Sequence, residues 1–348
     1  MIFNQFLCSG LNNMILVFGY NIFILNADII TPCRICVIVI NFSCSTPKIV
    51  FFAKWKICFL EVYYQRYFSM IELNSMTTEK LVVQTMKILY KNPGFEHSID
   101  SIMLFQTDNQ TPYWSDALLY FYPQLEKQEI TKLNFEEKKK YVSNVLYDVY
   151  HEEIKKEINE KVNSYNNHFL NHKDQIEDAL SEAFDIDTRT IFNDLVGNIT
   201  MNPVGPRFLK ERYFDIFYKN SESGAIGISI HEVIHYIWFY VWNKHFGDDY
   251  NEYESPSLKW ILSEMVVESI MSDARLSSIN PYYPRENGGC VYGYFQNMVI
   301  DGKPILETLD KYYRENKIHD FMEQSYKYCL EFEKDIRYHI NEAEKEGL

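Results

Sequence analysis

The chain has 348 residues, 47% of them hydrophobic, with 48 acidic against 34 basic side chains and a formal net charge of -14. That length supports one large or two ordinary domains with a sizeable core. The acidic balance argues against nucleic acid as a partner, because the basic runs Lys138-Lys139-Lys140 and Lys155-Lys156 are interleaved with glutamates as on a solvated helix.

Residues 1–69 stand apart in composition, with seven charged side chains and five of the seven cysteines: Cys8, Cys33, Cys36, Cys44 and Cys58. The apolar stretch from Met14 to Leu25 is broken by Gly19 and Asn21 and falls short of the roughly 18 residues needed to span a bilayer as a helix. No basic residue precedes it as in a secretory signal. Cys33-x-x-Cys36 has no second pair at zinc-finger spacing. We expect this tract to lie outside the functional fold, with a functional start at Met70 or Met76, and a membrane to be a partner only if residues 1–69 are genuine.

From Thr77 to Lys91 the apolar positions Leu81, Val82, Met86, Leu89 and Tyr90 predict a helix ended by Pro93-Gly94. A short helix follows over Tyr113 to Phe121, stopped before Pro123. Residues 125–185 are the most helical part, with Val142, Val145, Leu146, Val149, Ile154 and Ile158 on the buried stripe. His168 and His172 are four apart, but their polar surroundings predict solvated side chains, and His151 carries no motif. Residues 70–190 thus read as a helical N-terminal part. Beyond them, Asn198 to Leu209 reads as short strand or extended loop, its prolines kept out of a sheet interior, and Tyr213 to Tyr218 as a half-buried strand. Arg207, the only formal charge between Asp194 and Lys210, suits either a functional site or the surface.

The most informative stretch is His231-Glu232-Val233-Ile234-His235, inside an apolar run whose first residues, Gly224 to Ile230, continue as strand or loop before a helix begins. On a helix the two histidines project from one face, the spacing that lets two imidazoles bind one zinc ion. Glu232 then sits beside the metal, where it can accept a proton from water that the metal has acidified. Downstream, Ser255 to Asp273 reads as a second helix with Ser255 as N-cap and Pro256 as its first residue. Glu264 and Glu268 lie one turn apart in this apolar segment, and burying such an acidic pair is costly unless a cation compensates it.

This pairing resembles the gluzincin group of zinc metallopeptidases over residues 224–273. The resemblance implies one Zn2+ per chain held by His231, His235 and Glu264, with Glu232 as general base and Glu268 as the carboxylate that holds a ligand histidine. Periodicity alone does not choose between Glu264 and Glu268; the order found in the group does. The chain departs from the thermolysin-like pattern, with Glu in place of Asp at 268 and 28 residues between His235 and Glu264. Trp238 and Val241 occupy the Gly and third His positions of a metzincin. Asp248 or Asp249 is an alternative third ligand, as in the aspartate-liganded branch. An edge strand beside the metal helix is implied as the place where a peptide adds by main-chain hydrogen bonds.

The tyrosine-rich loop from Ile279 to Tyr294 offers Tyr282, Tyr283, Tyr292 and Tyr294 as donors to an oxyanion, with His319 a weaker candidate. Residues 304–346 read as two helices behind the site. The sequence therefore predicts a predominantly helical α+β fold, with a zincin-like catalytic part over residues 191–348 and a small sheet beside the metal helix. The activity implied is zinc-dependent hydrolysis of a peptide or protein substrate; the alternative is a non-catalytic zincin-like binding or regulatory protein. Cys290 and Cys329, the two cysteines after residue 69, imply no disulfide framework and predict a cytoplasmic protein.

Overall fold

The computed structural model describes residues 13–18, 21–26, 37–41, 48–52, 86–106, 112–247 and 250–346. The chain divides into two compact units, Met1–Val82 and Val83–Leu348. In the first, β1 (Asn13–Phe18), β2 (Asn21–Asn26), β3 (Val37–Asn41) and β4 (Lys48–Phe52) form a sheet of order β2-β1-β3-β4. The stretch from Met14 to Leu25 is thus an antiparallel pair, Met14 opposite Leu25. Cys33 and Cys36 lie outside the described residues. No helix among the described residues is long and apolar enough to cross a membrane.

The second unit is predominantly helical around one four-stranded sheet of order β5-β6-β8-β7. Its strands are β5 (Ile88–Lys91), β6 (Leu195–Thr200), β7 (Arg207–Phe208) and β8 (Tyr213–Phe217). The first three in spatial order run parallel, and β7 closes one edge antiparallel to β8, Arg207 opposite Phe214. The helix expected over Thr77–Lys91 is therefore corrected over its last four residues. Met86, Ile88 and Tyr90 are buried while Lys87, Leu89 and Lys91 are exposed, the period of a strand with one covered face. This strand joins residues on both sides of position 190 into one sheet.

The strand expected at 213–218 is present but more buried than predicted. Helix α1 (Phe95–Met103) covers one face of the sheet, where Asp215 lies 3.0 Å from His97 Nε2 and accepts from Asn198 Nδ2 at 3.1 Å. Pro203 and Pro206 fall between strands, as expected.

Helices α2 (Pro112–Phe121) and α3 (Phe135–Val149) follow, and α3 runs through one π turn into the thirty-residue α4 (Lys155–Phe184). Asn134 starts α3 with a reciprocal cap to Glu137. The predicted stripe is inside: Val142, Leu146, Ile154 and Ile158 are buried. His151 is exposed, whereas His168 and His172 are half-buried and line an open cavity of about 200 Å³ with Ser223 and Asn280.

Two helices apolar all round fill the centre, α5 (Glu222–Phe246) and α6 (Leu258–Met271), which pack on each other. Such a pattern is that of a helix buried on every side. Helix α5 begins well before the expected strand or loop ends. Ser221 Oγ accepts from Gly224 N at 3.0 Å as N-cap. The glycines that suggested irregular chain serve packing instead: a Cβ on Gly227 would lie 2.4 Å from Asn280 Oδ1. Helix α6 is capped by Ser257, whose Oγ accepts from Trp260 N at 3.2 Å, so the expected cap at Ser255 is two residues early. Tyr90, reaching across Gly197, places its hydroxyl 2.7 Å from Ser229 Oγ and ties the sheet to α5. The C-terminal segment is three helices rather than two: α7 (Ile305–Glu315), α8 (Ile318–Glu331) and α9 (Glu333–Glu346), the first two packed on α6.

Candidate metal centre

Helix α5 sets His231 and His235 one turn apart, and α6 brings Glu264 against both. His231 Nε2 and His235 Nε2 are 3.0 Å apart; Glu264 Oε2 lies 3.5 Å from the first and Oε1 3.4 Å from the second. Among the described residues, this is the one group of three or more His, Cys, Asp or Glu side chains able to hold a metal ion. Donor atoms about 2.0–2.1 Å from a tetrahedral metal ion such as zinc are separated by about 3.3–3.4 Å from one another, and the spacings here, measured to the two different oxygens of Glu264, are of that size.

The histidines are prepared unequally. His231 Nδ1 lies 2.9 Å from the carbonyl of Cys290. A carbonyl only accepts, so Nδ1 carries the proton and Nε2 faces Glu264, the orientation a ligand imidazole needs. His235 is fully buried and its pKa is pushed down to about 3, by burial first and then by the Arg207 charge. It is held neutral, the form that binds metals, although its Nδ1 has no hydrogen-bond partner.

Arg207 settles its open assignment by reaching in from β7, its side chain 7% exposed. Nη1 lies 3.4 Å from Glu232 Oε2 and 3.7 Å from Glu264 Oε1, and Nε is buried without a partner. The strand that carries it is pinned by Tyr236, next in sequence to His235, whose hydroxyl lies 2.8 Å from Phe208 O and 2.6 Å from Tyr213 O.

Burial raises the pKa of Glu232 despite the opposing charges of His231 and Arg207. Burial also acts to raise Glu264, but His235 and His231 outweigh it and hold that carboxyl well below the usual range. At His231 burial acts downward, and the Glu264 hydrogen bond with the Glu232 and Glu264 charges reverses it, giving a raised pKa. One guanidinium thus faces two carboxylates in a buried cluster. The remaining negative charge calls for a further cation, which a proton on His231 or a metal ion can supply.

Glu268 does not touch either histidine. Its Oε1 accepts from Arg285 Nε at 2.7 Å and from Nη2 at 2.5 Å, and the acceptor at His231 Nδ1 is the Cys290 carbonyl instead. One helical turn carries Glu268 past the ligand cluster to the loop beyond.

The four tyrosines separate in the same way. Tyr292 is near enough that Glu264 and Glu232, after burial, raise its pKa well above the ordinary value; Tyr294, stacked on it at 5.2 Å, feels Glu264. Tyr282 instead lies at the start of α5, its hydroxyl 3.4 Å from Asn220 Oδ1, and Tyr283 feels Glu268 rather than the cluster. His319 stacks on His245 at 4.2 Å, outside the cluster. Asp248 and Asp249 lie outside the described residues. Arg285 and the Cys290 carbonyl had no sequence signal, since an ion pair across 17 residues and a main-chain acceptor leave no motif. Comparison with protein-family models, with curated proteins and with solved structures finds no match to this chain.

Proposed function

We propose that this chain is a zinc-dependent hydrolase that cleaves peptide bonds, built on a zincin-like core, with His231, His235 and Glu264 as the metal ligands. The observation that carries this reading is the convergence of two imidazole nitrogens 3.0 Å apart with the Glu264 carboxylate, whose two oxygens lie 3.5 and 3.4 Å from His231 and His235 respectively, beside a second, non-ligand carboxylate, Glu232. The antiparallel edge strand β7, next to the helix that bears both histidines, supports it further.

A bound zinc supplies Lewis acidity, lowering the pKa of water toward about 7 and polarising a carbonyl. Glu232 takes a proton from the attacking water and passes it to the leaving amine. Arg207 balances the charge of Glu232 and keeps that carboxylate from swinging onto the ligand cluster. Tyr292 donates its hydroxyl to the carbonyl oxygen as negative charge develops there. The peptide adds as a strand along the free edge of β7.

Metal analysis together with turnover of a peptide library tests the proposal. We expect about one zinc per chain and zinc-dependent cleavage. Zinc without turnover would move the reading to a non-catalytic binding protein, and no metal after zinc reconstitution ends it.

A further inference from the structure

The loop between α6 and α7 is tied down at three places, and each tie has a different partner. At its start, Asn280 packs on Gly227, and Tyr282 reaches Gly224, on the first turns of α5. In its middle, Arg285 donates from Nε and Nη2 to the one oxygen Oε1 of Glu268 on α6, at 2.7 and 2.5 Å. Near its end, the carbonyl of Cys290 accepts from His231 Nδ1 at 2.9 Å.

Between the last two ties the chain reverses. Gly288 N donates to Arg285 O at 3.0 Å and Gly289 N to Tyr282 O at 3.0 Å. Both glycines have positive φ, 118° and 79°, in the region that favours glycine. A Cβ at Gly289 would also lie 2.1 Å from Gln296 Nε2. Gln296 in turn donates to Val291 O at 3.1 Å and so braces the residue after Cys290. Arg285 is therefore separated from the His231 acceptor by a turn that leaves the backbone little freedom.

We infer that Arg285 is a positioning residue for the metal ligand His231, acting from Glu268 through the 285–290 turn to the Cys290 carbonyl. The inference rests on the metal-centre reading for its affinity effect, while the His231–Cys290 contact it depends on can be measured with or without metal. Two nitrogens of one planar guanidinium converge on the single oxygen Glu268 Oε1, a charge-assisted contact that restrains where Arg285 sits. The carbonyl it aims selects which nitrogen of His231 carries the proton, and so turns Nε2 toward Glu264. Glu268 then serves a ligand histidine, as the resemblance implied, but through an arginine and a turn rather than by direct contact.

The test uses the full chain with 15N-labelled histidine, zinc-free and zinc-titrated. In the parent, at a pH high enough to leave His231 neutral, the ring should carry its proton on Nδ1 before any metal is added. Arg285→Ala and, independently, Gly289→Ala should turn this into a mixture of tautomers, and zinc affinity by chelator competition should fall about 10- to 100-fold. Arg285→Lys should restore part of both. Glu268→Gln, which keeps an acceptor but loses the charge, should fall between; it carries the test if Arg285→Ala does not fold. An unchanged His231 tautomer in the folded variants overturns the inference. If the parent itself binds no zinc, the metal reading fails while the tautomer comparison still decides this one.

Discussion

Replacing Arg207 with methionine removes the cation from the buried cluster while keeping most of the side chain's bulk. At an effective dielectric of about 20, unit charges 3.4 and 3.7 Å apart attract by about 4–5 kcal/mol each. Desolvation of the guanidinium offsets much of that sum, and losing one partner of a buried ion pair costs about 3–5 kcal/mol in practice, because the other is left uncompensated. Zinc-free Arg207→Met should therefore lose about 3–5 kcal/mol of stability. With saturating zinc a dication replaces the missing charge, and the loss should shrink. By linkage, whatever stability zinc restores appears as tighter zinc binding, about tenfold for each 1.4 kcal/mol. We expect the variant to bind zinc at least about tenfold more tightly than the parent while hydrolysing more slowly. Urea unfolding in EDTA and in saturating zinc, with chelator competition for the affinity, measures both sides of the cycle. A stability loss that is the same with and without zinc, or weaker zinc binding in the variant, would refute the placement of Arg207 as the cluster's internal counter-ion.

Glu232→Gln should keep zinc and lose at least about 100-fold in turnover, since an amide cannot take the proton of water; hydrolysis at the parental rate would remove Glu232 as the base. Glu264→Ala should purify nearly metal-free, whereas Glu268→Ala should retain zinc with affinity reduced by about 10- to 100-fold, and metal analysis showing the reverse order would exchange their roles. Tyr236→Phe frees β7 from α5 and should cost about 1 kcal/mol, with a fall in kcat from a misplaced Arg207; thermal unfolding and kinetics together check it, and unchanged kcat would separate that strand from the chemistry.

The sequence by itself determined the pieces that depend on local spacing. His231 and His235 sit four apart and Glu264 and Glu268 four apart, and once both segments are helical the faces they share follow from 3.6 residues per turn. The helical stretch of residues 135–184 was legible for the same reason, because Val142 and Leu146, and again Ile154 and Ile158, sit about one turn apart and are buried. Tertiary structure decided whatever depended on a partner distant in sequence. Ile88–Lys91 is a strand because β6 lies alongside to pair with it, and its six-residue alternation is too short to tell from a helical stripe. Gly224 and Gly227 belong to a helix because Tyr282 and Asn280 occupy the space their missing side chains leave; read locally, they argue for irregular chain. Burial likewise decided the charges. Arg207 is one arginine in a loop until the sheet edge folds it between Glu232 and Glu264. Glu268 is equivalent to Glu264 by periodicity until α6 packs with one turn against the histidines and the next against Arg285. Hydrogen bonds and ion pairs are short-ranged, so the same residue type one helical turn away meets a different neighbour, and only the packed chain says which.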